Sequence, residues 1–449
     1  MPPEDCIPSS LILTPTEQLA HAQLAGSLVR SAIDEYEEFC APPSRARVNP
    51  LQWKLVKTKS DVSVYRDRRD KHDVWPSPTL STPQGDYEPV LSKVPTPWML
   101  VAGTFEGTID DLAYGAHIES TETQRIRAFY LKDQAQKFRH LATVAHATEE
   151  DPHQFACVAW TELRDAGIPF VRRRDLLTLI ASGMTELPST GERVGYYLIH
   201  SVKNDNVPPL TDIKFVRAQC SFCYIFRQRA PELVEVYQRG FFAPMGDLPE
   251  RSVLTSVTKN LLSPIRLIQV AHGKKLRFMM IHAPPARKES MMENGCAAQC
   301  ANPGRRLTRA LTARFRSGSM MECCAICRRA VCKSCKHIKQ IAIETVTSLT
   351  DDKVVSETLT FCAVCIRKAK SLNAQLFARQ VFHETRHRSQ SFRDDVRDAY
   401  HCVLKNEALR VLEPHVEEDD EEDAIIVLPT RKLDEDQAIQ QILQRGILL

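Results

Sequence analysis

Eight cysteines carry the chemistry that this sequence can do. Cys324-Ala-Ile-Cys327 and Cys332-Lys-Ser-Cys335 are Cys-x2-Cys pairs held four residues apart. Cys362-Ala-Val-Cys365 lies downstream, and the looser pair Cys296 and Cys300 lies upstream. A Cys-x2-Cys turn aims two sulfurs at one point, which is half of a tetrahedral zinc site. A spacer of four residues is too short for its two flanking pairs to share one ion comfortably. The order therefore predicts a cross-brace with two zinc ions. Cys296, Cys300, Cys332 and Cys335 would hold one ion, and Cys324, Cys327, Cys362 and Cys365 the other. Cys323 is the odd thiol, since the spacing to Cys327 selects Cys324 as the ligand.

The rest of the composition narrows the setting. Nine of the fifteen cysteines fall within residues 296–365 and the others are scattered, unlike a secreted disulfide framework. Met1-Pro-Pro-Glu-Asp has neither the basic nor the apolar stretch of a signal peptide. No run of about 18 apolar residues predicts a membrane span. A reducing cytoplasmic compartment is expected, where thiols bind metal rather than pair. The chain has 449 residues and a net charge of +3, so two or three domains are expected and no strong global pull on nucleic acid. No His-Glu-x2-His helix, Ser-His-Asp motif or Gly-rich phosphate loop is present, and a non-catalytic protein is expected.

The cysteine region needs a scaffold, and the chain before it reads as α+β. Residues 15–40 have helical spacing behind Thr14 or Thr16 as cap, and Ala41-Pro42-Pro43 ends them. Trp53 onward and Val62-Ser-Val-Tyr-Arg66 alternate as a hairpin around Lys59-Ser60-Asp61. Further strands are expected at 97–107, 155–160, 174–183, 193–202, 214–226 and 233–237. Thr108 caps a helix through Asp110 and Asp111, which explains these two acids without catalysis. Cys220 and Cys223 repeat the zinc spacing inside a strand, where the two side chains point to opposite faces. Residues 249–280 return to helical spacing, kinked at Pro264. The reading is an antiparallel sheet of about six or seven strands closed by a long helix, an architecture that can enclose a lipid-sized cavity.

The stretches Val101-Ala-Gly-Thr-Phe-Glu-Gly-Thr-Ile-Asp-Asp-Leu-Ala-Tyr-Gly115, Arg174-Asp-Leu-Leu177, Gly191-Glu-Arg-Val-Gly-Tyr196 and His200-Ser-Val202 resemble START-like domains. The chain is similar over roughly residues 10–370 to proteins of eukaryotic microbes that join such a domain to a FYVE-type zinc finger. The resemblance implies a helix-grip fold, a curved antiparallel sheet holding a long C-terminal helix, with a lipid or other hydrophobic ligand inside. The expected order is a helical segment at 1–48, the START-like domain at 49–283, a cross-brace FYVE-like finger at 284–370, a helical extension at 371–412 and an acidic tail at 413–449.

The finger departs from its family. Met291-Met-Glu-Asn-Gly295 stands where a FYVE finger has Trp-x2-Asp, and Gly318-Ser-Met-Met-Glu-Cys-Cys-Ala325 replaces the basic run that grips phosphatidylinositol 3-phosphate. A RING finger is disfavoured, because the second pair lacks a His and four residues precede the third. Arg305, Arg306, Arg309, Arg314, Arg316, Arg328 and Arg329 nevertheless make the region basic, a patch suited to an anionic membrane. Aromatic residues hardly interleave with them, which argues against nucleic acid. Three roles are expectations at this point: an adaptor at endosome-like membranes, a protein–protein scaffold, or, less favoured, a RING-like ubiquitin ligase. Protein partners are expected of the first two. Glu417–Asp423 is an unbroken run of seven acids, expected to be disordered.

Overall fold

The computed structural model describes residues 6–41, 48–68, 81–82, 85–86, 98–118, 121–132, 135–149, 151–163, 172–210, 215–245, 250–283, 323–329, 331, 335–347 and 352–379. The expected helical extension beyond residue 379 and the acidic tail lie outside the described residues. The elements described below belong to one unit, Met1–Ala378.

Helix α1 (Pro15–Cys40) starts where Thr14 and Glu17 cap each other. Glu17 N–H donates to Thr14 Oγ1 at 3.2 Å, and Thr14 N–H donates to the Glu17 carboxylate at 2.8 Å. This reciprocal pair satisfies donors that a helix start otherwise leaves to water. A ten-stranded sheet follows, formed by β1 (Trp53–Lys59), β2 (Val62–Asp67), β5 (Met99–Glu106), β6 (Ala135–Ala145), β7 (Phe155–Leu163), β8 (Arg173–Glu186), β9 (Arg193–Ser201), β10 (Phe215–Arg217), β11 (Gln219–Ala230) and β12 (Leu233–Ala243). The two-residue strands β3 (Ser81–Thr82) and β4 (Gly85–Asp86) pair with each other. The main order is β1-β2-β5-β12-β11-β9-β8-β7-β6, with antiparallel pairs throughout; the short β10 joins β8 in parallel.

The sheet is buried on both faces, and the period of two in its strands says how. In β7, Phe155, Cys157 and Ala159 enter one core, while Ala156, Val158 and Trp160 enter the other. Strand β11 repeats the pattern, with Cys220, Phe222, Tyr224 and Phe226 on one face and Cys223 and Ile225 on the opposite face. The two cysteines with zinc-like spacing are thus separated by the sheet, as strand geometry requires. Leu24, Leu28, Val29, Ile33 and Tyr36 of α1 cover the second face, and Tyr36 donates to Glu235 at 2.6 Å.

The first face is covered by α2 (Ile109–Ala116), α3 (Thr121–Leu131), α4 (Glu250–Leu261) and α5 (Leu267–Ile281). Pro264 opens a short 3-10 turn, Pro264–Arg266, that separates α4 from α5. A proline cannot donate the helical hydrogen bond, so the expected helix is broken into two rather than kinked. Helix α2 crosses α5 closely at Gly115, where a Cβ would lie 2.1 Å from the Leu267 carbonyl oxygen.

Two differences from the sequence expectation concern strands. Strand β6, Ala-Gln-Lys-Phe-Arg-His-Leu-Ala-Thr-Val-Ala, was not expected. It is an edge strand with three register irregularities against β7, and its charges at Lys137 and Arg139 hide the alternation. Charges and bulges at a sheet edge prevent pairing with other chains. The expected strand 214–226 is two strands, because the chain leaves β8 at Ala218 to pair with β9 and β12. No helix among the described residues is long and apolar enough to cross a membrane.

Candidate metal centre and apolar cavity

The cysteine module begins with a tight knuckle. Cys324 N–H donates to the Arg329 carbonyl at 2.9 Å, and Arg328 N–H donates to the Cys324 carbonyl at 2.9 Å. Arg328 takes φ 58°, the left-handed conformation that lets the chain double back after Cys327. A hairpin follows, β13 (Lys336–Thr347) against β14 (Asp352–Cys362), leading into helix α6 (Ala363–Ser371). Cys362 closes the hairpin and caps α6, accepting from Cys365 N–H at 3.4 Å. The second half-site is therefore the first turn of a helix, where the dipole favours negative sulfur.

Folding the hairpin back brings the second and fourth cysteine pairs together. The Sγ atoms of Cys324, Cys327, Cys362 and Cys365 all lie within 4.8 Å of one another. Cys327 Sγ and Cys362 Sγ are 3.8 Å apart. A tetrahedral ion with metal–sulfur bonds of about 2.3 Å sets its sulfurs about 3.8 Å apart, so the donor set fits one ion. Backbone N–H groups of Cys327, Cys362 and Ile326 bond the Cys324 sulfur. The hydrogen bond from Cys365 holds the Cys324 thiol down to about 4, against burial, and the same bond pushes Cys365 up. Burial pushes Cys327 up to about 11. A bound cation would displace the protons that these thiols carry.

The other expected ligands are differently placed. Cys335 is buried at the start of β13 but is not in this group. Cys296, Cys300 and Cys332 lie outside the described residues, as do Arg305, Arg306, Arg309, Arg314 and Arg316. Arg328 and Arg329 are described, and both are exposed on the knuckle.

The module sits on α5. Ala325, Ile341, Phe361 and Ala369 form a small core with Leu276, Met279 and Met280 of that helix. Tyr130 of α3 accepts from Ala342 N–H at 3.1 Å, and Arg277 donates to the Ile343 carbonyl at 2.7 Å. Lys275, fully buried, donates to Asp111 of α2 at 2.5 Å and to the Leu372 carbonyl just past α6 at 2.7 Å. Asp111 also faces His272 at 3.3 Å. Burial pushes the Asp111 carboxyl up, but His272 and the Lys275 ammonium outweigh it and hold the carboxyl below its ordinary range. The sequence marks Asp111 only as a first-turn acid, and Lys275, flanked by Lys274 and Arg277, carries no local mark of its burial.

A second site lies on the first face of the sheet. Residues of α3, β6 to β9, β11, β12 and α4 enclose a cavity with Leu163, Leu176, Ile180, Phe222 and Leu261 among its walls. Its volume is about 140 Å³. Tyr224 donates to the Leu261 carbonyl at 3.2 Å and so fastens the end of α4 to the sheet. Apolar walls with a few polar groups suit a ligand with an apolar body. Periodicity could place strands and helices but not this space.

Two outcomes follow. Cys365→Ser should lose the ion of this centre, read by elemental analysis, and melt several degrees lower than the parent chain; unchanged metal content would contradict the assignment. Asp111→Asn should cost about 3–5 kcal/mol at neutral pH by leaving Lys275 buried and unpaired. Because the Asp111 carboxyl is held below its unfolded value of about 3.9, its stabilisation is full above that value and lost as pH falls through the folded one. The difference between parent and variant in denaturant melts should therefore shrink on acidification.

No protein-family model matches the chain, and no curated protein does. Among solved structures, human StAR-related lipid transfer protein 5 aligns at 14% identity over 56% of this chain and 98% of its own, with a TM-score of 0.38. Human STARD10 aligns at 16% identity over 53% of this chain and 78% of its own, with a TM-score of 0.33. The lipid transfer and protein localization domain of human StarD13 aligns at 12% identity over 57% and 96%, with a TM-score of 0.32.

Proposed function

We propose that this chain is a non-catalytic carrier of a hydrophobic ligand, built on a START-like helix grip and braced by a degenerate FYVE-like zinc module. The cavity between the sheet and α3 and α4 carries this reading. Zinc is the ion proposed for the four-thiolate centre, because soft thiolate sets select it in a reducing cell. A second zinc on Cys296, Cys300, Cys332 and Cys335 completes the proposed cross-brace.

The module's packing favours a bracing role. Its apolar side is spent on α5, and its Lys275 link ties α6 to α2. Membrane contact, if the carrier visits an endosomal surface, falls to the basic residues, of which Arg328 and Arg329 are exposed. The proposed setting is the cytoplasm, where the carrier acts as an adaptor between ligand, membrane and protein partners.

Val257 of α4 lines the cavity, so Val257→Trp fills it. Titration with a solvatochromic acyl probe should show binding by the parent chain and at least about tenfold weaker binding by the variant, a change equivalent to ~1.4 kcal/mol. Equal binding by both proteins would refute the carrier reading.

A further inference from the structure

Large side chains leave the cavity little room. Phe138 of β6, Tyr197 of β9, Phe222 and Tyr224 of β11 and Phe242 of β12 all line it. The space between these rings and the helices is about 140 Å³. An apolar cavity of about 150 Å³ takes one benzene, so this one holds an apolar group of about six carbons. Clefts for drug-sized molecules run to about 300–1,000 Å³, so a fused-ring lipid or a pair of acyl chains exceeds it.

Two of the rings are also pinned. The Tyr224 hydroxyl donates to the Leu261 carbonyl at 3.2 Å, which holds that ring to the end of α4. The Tyr197 hydroxyl accepts from Arg127 of α3 at 2.6 Å. The two tyrosine rings lie 6.3 Å apart between centroids, and Tyr224 stacks on Phe226 at 6.0 Å with an interplanar angle of 7°. Neither ring can swing aside without breaking a buried hydrogen bond, and a buried polar group left unmet is costly. A packed interior takes extra carbons only by straining its side chains. The width of the cavity is therefore set by rings held at both ends.

We propose that the cavity measures its ligand: it takes one alkyl end or single ring of about six carbons and rejects sterols and two-chain lipids, with Tyr197 and Tyr224 as the posts that set the limit. This rests on the carrier reading above and narrows it from any hydrophobic ligand to a slender one whose remainder stays outside. The competing account is a cavity that swells around whatever enters. The two differ in how affinity depends on chain length. Each methylene taken from water tightens binding about fourfold, and a methylene left outside adds nothing.

The test titrates the full chain with straight-chain alcohols from butanol to dodecanol, with benzyl alcohol and with the fluorescent sterol dehydroergosterol. Affinity of the parent should rise about fourfold per carbon up to about six to eight carbons and then level off, and the sterol should not bind. The tighter of hexanol and benzyl alcohol tells a chain from a ring. Phe242→Ala removes a phenyl ring from the wall, and relaxation closes that space only in part. It should carry the rise on by several carbons, and Phe242→Leu by fewer. The milder variant keeps the test sound if the alanine protein does not fold. An affinity of the parent that climbs without a break to dodecanol, or tight sterol binding, would overturn the proposal while leaving the carrier reading intact. So would a levelling point that no folded variant moves. If the parent binds none of these ligands and Val257→Trp changes nothing with the acyl probe, the carrier reading fails first and the size limit falls with it.

Discussion

Helix α5 has apolar residues that two different partners must cover, and the structure is arranged around that need. Its first half, Leu267, Ile268, Val270 and Ala271, is buried, with Leu267, Ile268 and Val270 in the core of the sheet. Its second half, Leu276, Met279 and Met280, passes beyond the sheet and enters the core of the cysteine module. Each large apolar side chain taken from water contributes about 1.5–3 kcal/mol, so neither half can be left uncovered cheaply. The module has the complementary need. A knuckle, a hairpin and a short helix are too small to bury a sufficient core, and such modules depend on a metal or on a neighbour. This one has a four-thiol centre on one side and α5 on the other.

Buried charge fixes how the two halves meet. Lys275 stands between them, with Asp111 as its counter-ion and the carbonyl of Leu372 as a second acceptor. An ion pair of this kind adds little net stability over an apolar pair, but its loss on one side is costly. It therefore acts as a register pin: α6 has one place on α5 where its terminal carbonyl meets the ammonium. A second buried charge stands on the cavity wall, where Arg127 donates to Gln124 and to the Tyr197 hydroxyl.

Much of this was legible in the residues, and the unread parts share a cause. A helix cap at Thr14 or Thr16, of which the structure uses Thr14, the hairpin at Ser60 and the split of Cys220 from Cys223 follow from local spacing. The pairing of Cys324 and Cys327 with Cys362 and Cys365 followed from the short spacer. The edge strand β6 did not, because its half-buried charges at Lys137 and Arg139 break the alternation that marks a strand. Asp111 gave the signal of a helix cap, and it does sit one hydrogen bond from Thr108 Oγ1 at 3.1 Å; its ion pair with a lysine 164 residues away leaves no local trace. Arg127 lies in Thr121-Glu-Thr-Gln-Arg-Ile-Arg127, where it looks like one more surface cation. Only packing reveals that it is buried beside an apolar space.

The central claim is that the sheet and its helices hold an apolar ligand in the free-standing protein. Native mass spectrometry of the purified full chain tests it most directly. The account predicts a discrete amphiphile adduct on the folded chain that departs on denaturation. A mass equal to protein and metal alone, with no uptake after incubation with mixed lipid vesicles, would contradict it.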